Sequence, residues 1–177
     1  LEYLALKHLK YGTSFKFIDF KVKKLSELGY FEEALTTLLG IPKDISQNNV
    51  SMLYGIAVCL RELKNTSLAL ALLNATIANH DHIPVLHLER AKCFEALERY
   101  ANALSEYEVF LSYDQENREA RHQLATIHEK LGNFASAESY FSELGSHKEC
   151  ESEILFNFAA FYRRQGRYDD ALEIFKR

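Results

Sequence analysis

Helix breakers are scarce in this chain: its 177 residues include two prolines and seven glycines, and no stretch of biased or low-complexity composition. That excludes a collagen-like or Pro/Gly-rich disordered polypeptide and favours helix. Tryptophan is absent. Cysteine is confined to Cys59, Cys93 and Cys150, an odd number without C-x-x-C spacing. Such a set fits reduced thiols better than a disulfide framework or a zinc site. No apolar run approaches the ~18 residues of a membrane span, because charged or amide side chains interrupt each one. No basic segment followed by an apolar core and a cleavage site opens the chain at Leu1, so the sequence reads as an excised piece and as cytoplasmic. Sequons at Asn49, Asn65 and Asn74 carry little weight against this, since chance matches are common and Asn74 falls within a predicted helix.

A strong charge of either sign is also missing. Formal net charge is -4, too near neutral for a nucleic-acid binder acting through its overall field. The distribution is uneven: residues 1–24 hold six lysines against Glu2 and Asp19, so this end is +4 and the rest -8. A solvated helix surface accounts for that, with an acidic partner as the sharper reading.

What the chain has is a repeat. One segment recurs five times: LGYFEEAL at 28–35, LKNTSLAL at 63–70, LERYANAL at 97–104, LGNFASAE at 131–138 and QGRYDDAL at 165–172. The spacing is 35 once and 34 three times, and Ala34, Ala69, Ala103, Ala137 and Ala171 share one place. With units begun at Phe15, Val50, Pro84, Arg118 and Ser152, that place is the twentieth, and the eighth holds Val22, Ala57, Ala91, Ala125 and Ala159. Small residues at two fixed places let two helices cross closely. Bulky ones, at place seventeen (Phe31, Tyr100, Phe134, Tyr168, with Thr66 the exception) and place twenty-four (Leu38, Leu73, Tyr107, Phe141, Phe175), are expected to fill the gaps beside them.

Within a unit the apolar places recur at three and four residues, a helix period, and no strand alternation competes. Place fifteen holds Gly29, Lys64, Glu98, Gly132 and Gly166, where a left-handed turn residue between two helices is needed. Each unit is therefore predicted to be a helical hairpin. Pro84 opens its unit, at the one turn of a helix where proline loses no hydrogen bond.

These residues resemble the tetratricopeptide repeat family. Its small-x-x-x-aromatic signature appears as Ala103 to Tyr107, Ala137 to Phe141 and Ala171 to Phe175, and the 34-residue period matches. Departures are the missing tryptophan, His87 and Arg121 at the early aromatic place, and Ser46, Asp81, Gln115 and Glu149 in place of the closing proline. The resemblance implies an all-α, right-handed α-α superhelix, a solenoid of about five hairpins spanning 15–49, 50–83, 84–117, 118–151 and 152–177, the last incomplete. Residues 1–14 then read as the end of a preceding repeat or an N-terminal helix.

No phosphate loop, dinucleotide glycine pattern, H-E-x-x-H or G-x-S-x-G occurs, so no catalytic residues, cofactor or metal are expected. His80, Asp81, His82 and His87 form the best metal candidate, set against a polar loop that contains histidines by composition. Cys59 and Cys93 share one place in neighbouring units, as a redox pair or, more simply, as small buried residues. Glu32 with Glu33, and Asp169 with Asp170, look like paired carboxylates, but the first turn of a helix explains negative charge there.

The resemblance further implies that the first helices line a concave groove through places two, five, nine and twelve. The expected partner-binding set is Tyr54, Val58, Val85, Leu88, Lys92, His122, Thr126 and Phe156, an apolar centre with charged flanks that include Arg163 and Arg164. Exposed apolar residues there suggest an anchor for a helical or extended segment of another protein, with self-association open and neither nucleic acid nor membrane expected. A chaperone-tail receptor of this family has a basic residue at place five and asparagine at place nine of its first unit; here Asp19 and Lys23 stand there, which disfavours that role. The expected function is a protein–protein interaction module, a scaffold or adaptor in a multisubunit assembly. The alternative is the substrate-recognition region of an enzyme whose catalytic domain lies outside this sequence.

Overall fold

A computed structural model describes residues 17–42, 49–146 and 152–176, and every regular element among them is an α-helix. Residues 1–14, Lys16 and Cys150 lie outside this set. The helices are α1 (17–27), α2 (Phe31–Leu39), α3 (Val50–Glu62), α4 (Thr66–Ile77), α5 (Pro84–Ala96), α6 (Tyr100–Tyr113), α7 (Arg118–Lys130), α8 (Phe134–Gly145), α9 (Ser152–Arg164) and α10 (Tyr168–Phe175). They fall into two compact units, residues 1–97 and 98–177, so that the third repeat is divided between them.

The turns between paired helices follow from place fifteen. Gly29, Gly132 and Gly166 have φ of 79, 77 and 75°, and the two non-glycine residues there, Lys64 and Glu98, are held at 65 and 56°. The left-handed residue lets the chain reverse while two carbonyls at the helix end stay satisfied. At the α3–α4 turn Lys64 N–H donates to Arg61 O and Asn65 N–H to Leu60 O, at 2.9 and 2.8 Å. Gly132 with Asn133, and Gly166 with Arg167, repeat the pattern.

Two of the first helices begin on an asparagine whose side chain caps them. Asn49 Oδ1 accepts from Met52 N–H at 3.2 Å, and Asn117 Oδ1 from Ala120 N–H at 3.0 Å. Each satisfies one amide that the helix start leaves without a partner. Asn49 is therefore a cap, whatever its sequon, and Asn74 lies within α4 and accepts from Arg90 Nη1.

The small places are buried as expected: Ala34, Ala57, Ala69, Ala91, Ala103, Ala125, Ala137, Ala159 and Ala171 all lie in the core, with Val22. In the first unit Val22, Ala34, Leu38, Met52 and Cys59 form one cluster, and Ala57, Ala69, Leu73, Leu86 and Cys93 the next. In the second unit Ala125, Ala137, Phe141, Phe158, Phe161 and Ala171 pack together. Place seventeen meets the expectation only in part: Phe31 packs against the first cluster and Tyr100 is half-buried, but Phe134 and Tyr168 are exposed and the exception, Thr66, is buried. This place lies in the first turn of the second helix, where side chains lean toward the N-terminus, so a ring there is covered only as far as a neighbouring helix reaches it, whereas the short threonine needs little cover. At place twenty-four Leu38, Leu73, Tyr107 and Phe141 are buried, but Phe175 is exposed.

Candidate functional site: the faces of the first helices

In the first unit the expected residues sit on α3 and α5, which touch each other. Tyr54 is half-buried against the Ala57–Leu73–Leu86 cluster. Val58, Leu88 and Lys92 are half-buried and Val85 is exposed. Beneath them, Arg61 Nε donates to Glu89 Oε1 at 2.6 Å and Arg61 Nη1 lies 2.8 Å from Glu62. Glu89 is 3% exposed. Burial pushes its carboxyl up, against the pull of Arg61.

In the second unit α7 and α9 flank an open cleft of about 590 Å³, lined among others by His122, Thr126, Glu129, Asn157 and Arg164. A smaller one of about 360 Å³ shares His122, Gln123 and Glu153 and reaches Glu119. His122 forms the floor: it is buried, its Nε2 lies 3.1 Å from Asn157 Nδ2, and its ring meets Phe141 edge to face at 6.0 Å. Thr126 Oγ1–H is turned onto the His122 carbonyl at 3.2 Å. Phe156 lines neither cleft; it stands exposed against Phe175.

One expected charged flank is absorbed by the fold. Arg164 grips Glu129 with Nε to Oε1 at 2.6 Å and Nη2 to Oε2 at 2.7 Å, a two-pronged pair that ties α7 to α9. Arg163 stays exposed. Behind them Tyr162 O–H donates to Glu138 at 3.0 Å, Arg167 donates to the other Glu138 oxygen at 2.8 Å, and the Arg167 guanidinium lies 4.4 Å from the Tyr162 ring centre. Burial first, and then Glu138, push the Tyr162 phenol up. Neither the Arg61–Glu89 pair nor this cluster was foreseen, because the repeat carries no signal for ion pairs that differ from unit to unit. The capping asparagines did carry one: each stands directly before a first helix.

The histidine loop is open. His80 and His82 rings are 6.4 Å apart, His82 lies 3.7 Å from Asp81, and His87 is buried with Nε2 at 2.8 Å from the Asp81 carbonyl. Among the described residues no three His, Cys, Asp or Glu side chains are grouped as metal ligands. Cys59 and Cys93 are free and fully buried, and burial pushes the Cys93 thiol up to about 12. Glu32, Glu33, Asp169 and Asp170 occupy first turns of α2 and α10. No described helix is long and apolar enough to cross a membrane.

A family model described as tetratricopeptide repeat matches residues 88–147 and 122–177, and a second of the same description matches 51–82. No curated protein matches by sequence. Among solved structures, MamA from Desulfovibrio magneticus RS-1 superposes with a TM-score of 0.78 at 15% identity, covering 91% of this chain and 90% of that one. A tetratricopeptide repeat protein from Parabacteroides merdae ATCC 43184 gives 0.74 at 20%, covering 93% and 65%. A further MamA structure, MSR-1, gives 0.72 at 18%, covering 90% and 91%. At these identities the likeness concerns the fold.

Proposed function

The chain belongs to the tetratricopeptide repeat family, and we propose that it serves as a non-catalytic scaffold or adaptor within a larger assembly, holding a segment of another protein on the faces of its first helices. The observation that carries this reading is the cleft between α7 and α9. A small-molecule site of its volume is mostly apolar, whereas this one presents the side chains of Gln123, Thr126 and Asn157. Side-chain amides and a hydroxyl suit the peptide groups of an extended segment, which offer donors and acceptors at regular intervals. Glu153 at the adjoining mouth favours a cationic residue in that segment. In the first unit the faces of α3 and α5, with Tyr54, Val58, Val85 and Leu88, supply the apolar contacts that an anchor side chain uses, and Lys92 stands beside them. Two buried free thiols support a reducing, cytoplasmic setting.

The test is site-specific. A photo-crosslinking residue at Val85 or Gln123 should capture the same partner in cells, while one at Asn102, exposed on a second helix, should not. With that partner in hand, Tyr54→Ala and Leu88→Ala should each weaken binding by roughly tenfold. Capture from Asn102 alone, with unchanged affinity in both alanine variants, would place the partner on the other surface.

A further inference from the structure

The cleft between α7 and α9 has two unlike mouths, and the register of the two helices fixes the distance between them. Asn157 pairs with His122 and Arg164 with Glu129, each across 35 residues. Two links at one offset mean that the helices run parallel, each α9 residue level with the α7 residue 35 before it. Glu153, in the first turn of α9, is therefore level with Arg118 at the start of α7, whereas Lys130 ends α7. At 1.5 Å of rise per residue the two mouths lie ~18 Å apart along the axis.

Each mouth presents one sign of charge. Glu153 is exposed at the first and lines both clefts. Lys130 is exposed at the second, and Arg163 is exposed in the last turn of α9 at the same end. No described residue pairs with Glu153 or Lys130, whereas Glu129 and Arg164 cancel each other. Each helix end opposes these side chains with only about half a charge, so the side chain sets the sign at its own mouth. Between the mouths the lining is neutral and polar. Gln123 and Asn157 are half-buried there, and the Gln123 amide has no partner among the described residues; such an amide offers the donor and the acceptor that a peptide group needs. Phe134, which opens α8 at the lysine end, also lines the cleft and is 45% exposed.

We propose that this cleft selects its protein segment by charge and spacing: a basic side chain against Glu153, an acidic one against Lys130 about five residues away, and an apolar neighbour of the acid on the Phe134 ring. The inference rests on the reading that an extended segment occupies the cleft. An extended chain advances about 3.3 Å per residue, so about five or six residues span the two mouths. Gln123 and Asn157 serve the main chain between them, which leaves the choice of sequence to the ends. A segment with two acids or two bases at that spacing meets like charge at one mouth, whichever way round it lies, and is rejected there.

Selection from a random-sequence peptide display library on the full 177-residue chain and two charge variants tests this. Peptides enriched on the unaltered chain should share one basic and one acidic residue about five apart. Those enriched on Glu153→Lys should carry two acids at that spacing, and those on Lys130→Glu two bases, an outcome that does not depend on the direction in which the segment lies. Both positions are exposed, and circular dichroism verifies that each variant is folded. A synthetic peptide selected on the unaltered chain should bind Glu153→Gln and Lys130→Gln about two- to fivefold more weakly, a difference that high salt should erase. Peptides that enrich alike on all three chains, or that carry a charge pair at no fixed spacing, would overturn the inference. If such peptides lose affinity in Tyr54→Ala and keep it in Glu153→Gln, the chain still holds an extended segment, but on its other unit. A library from which no chain enriches anything would sink both readings.

Discussion

Arg61 and Glu89 meet at 2.6 Å between α3 and α5, with the carboxylate 3% exposed and the guanidinium side chain 19% exposed. Breaking one side of such a pair leaves a buried charge without compensation, which typically costs about 3–5 kcal/mol. Arg61→Met should therefore destabilise strongly, and adding Glu89→Leu should recover most of the loss; urea midpoints of the single and double variants measure this. The pH dependence has a definite sign. Burial raises the Glu89 carboxyl above its ordinary value, so its ionised form is disfavoured in the fold and the cost is present above the folded-state pKa and lost below the unfolded one. The Arg61→Met deficit should shrink on acidification, and a deficit independent of pH would assign it to lost packing.

Lys64 and Glu98 occupy a backbone region that costs an L-residue about 1–2 kcal/mol and glycine almost nothing. Glycine also adds freedom to the unfolded chain, which offsets part of the gain. Lys64→Gly and Glu98→Gly should each raise stability by roughly 0.5–1 kcal/mol. The reverse change, Gly132→Ala or Gly166→Ala, should lower it by a similar amount. A Cβ at either glycine meets nothing within 4 Å, so that loss reports backbone strain alone. Thermal midpoints of the four variants decide it.

Thiol reactivity follows from burial. With Cys150→Ser removing the thiol outside the described residues, a disulfide reagent at mildly alkaline pH should titrate no thiol in the native chain and two after unfolding. Cys59 and Cys93 are fully buried, and both thiols are pushed up by burial, so neither accessible surface nor thiolate is available. Rapid labelling of either one in the native state would mean that the α3–α5 region opens readily.

The turns and the core places were legible in the sequence because the repeat imposes one geometry on every unit: five residues at one place share one backbone sign, and nine alanines at two places are all buried. What differs between units was not legible. Glu89 reads as a surface residue until Arg61 is placed beside it, and Arg164 reads as a free flanking charge until Glu129 takes it. His122 was expected on the groove and does line a cleft, but as a buried floor held by Asn157 rather than as a projecting contact. The rule for place seventeen held for Phe31 and failed for Phe134 and Tyr168, because periodicity reports which way a Cα–Cβ bond points and not what covers the end of a long ring.

Alanine at place twenty provides a paired control inside one helix. Ala137 is fully buried within the aromatic cluster of the second unit, while Ala135, two residues earlier on α8, is exposed. The same change at both, alanine to leucine, adds the same atoms and nearly the same helix propensity, so the difference between them isolates packing. Overfilling a close helix crossing typically costs about 1–3 kcal/mol, whereas an exposed substitution stays within ~0.5 kcal/mol. Ala137→Leu should therefore unfold at clearly lower urea than Ala135→Leu, which should match the unaltered chain. Because Phe141 packs in the same cluster and forms an edge-to-face pair with His122, the change at 137 should also perturb the His122 ring signals in NMR spectra. Equal midpoints with undisturbed His122 signals would show that place twenty is not the tight crossing on which the stacking of this unit depends.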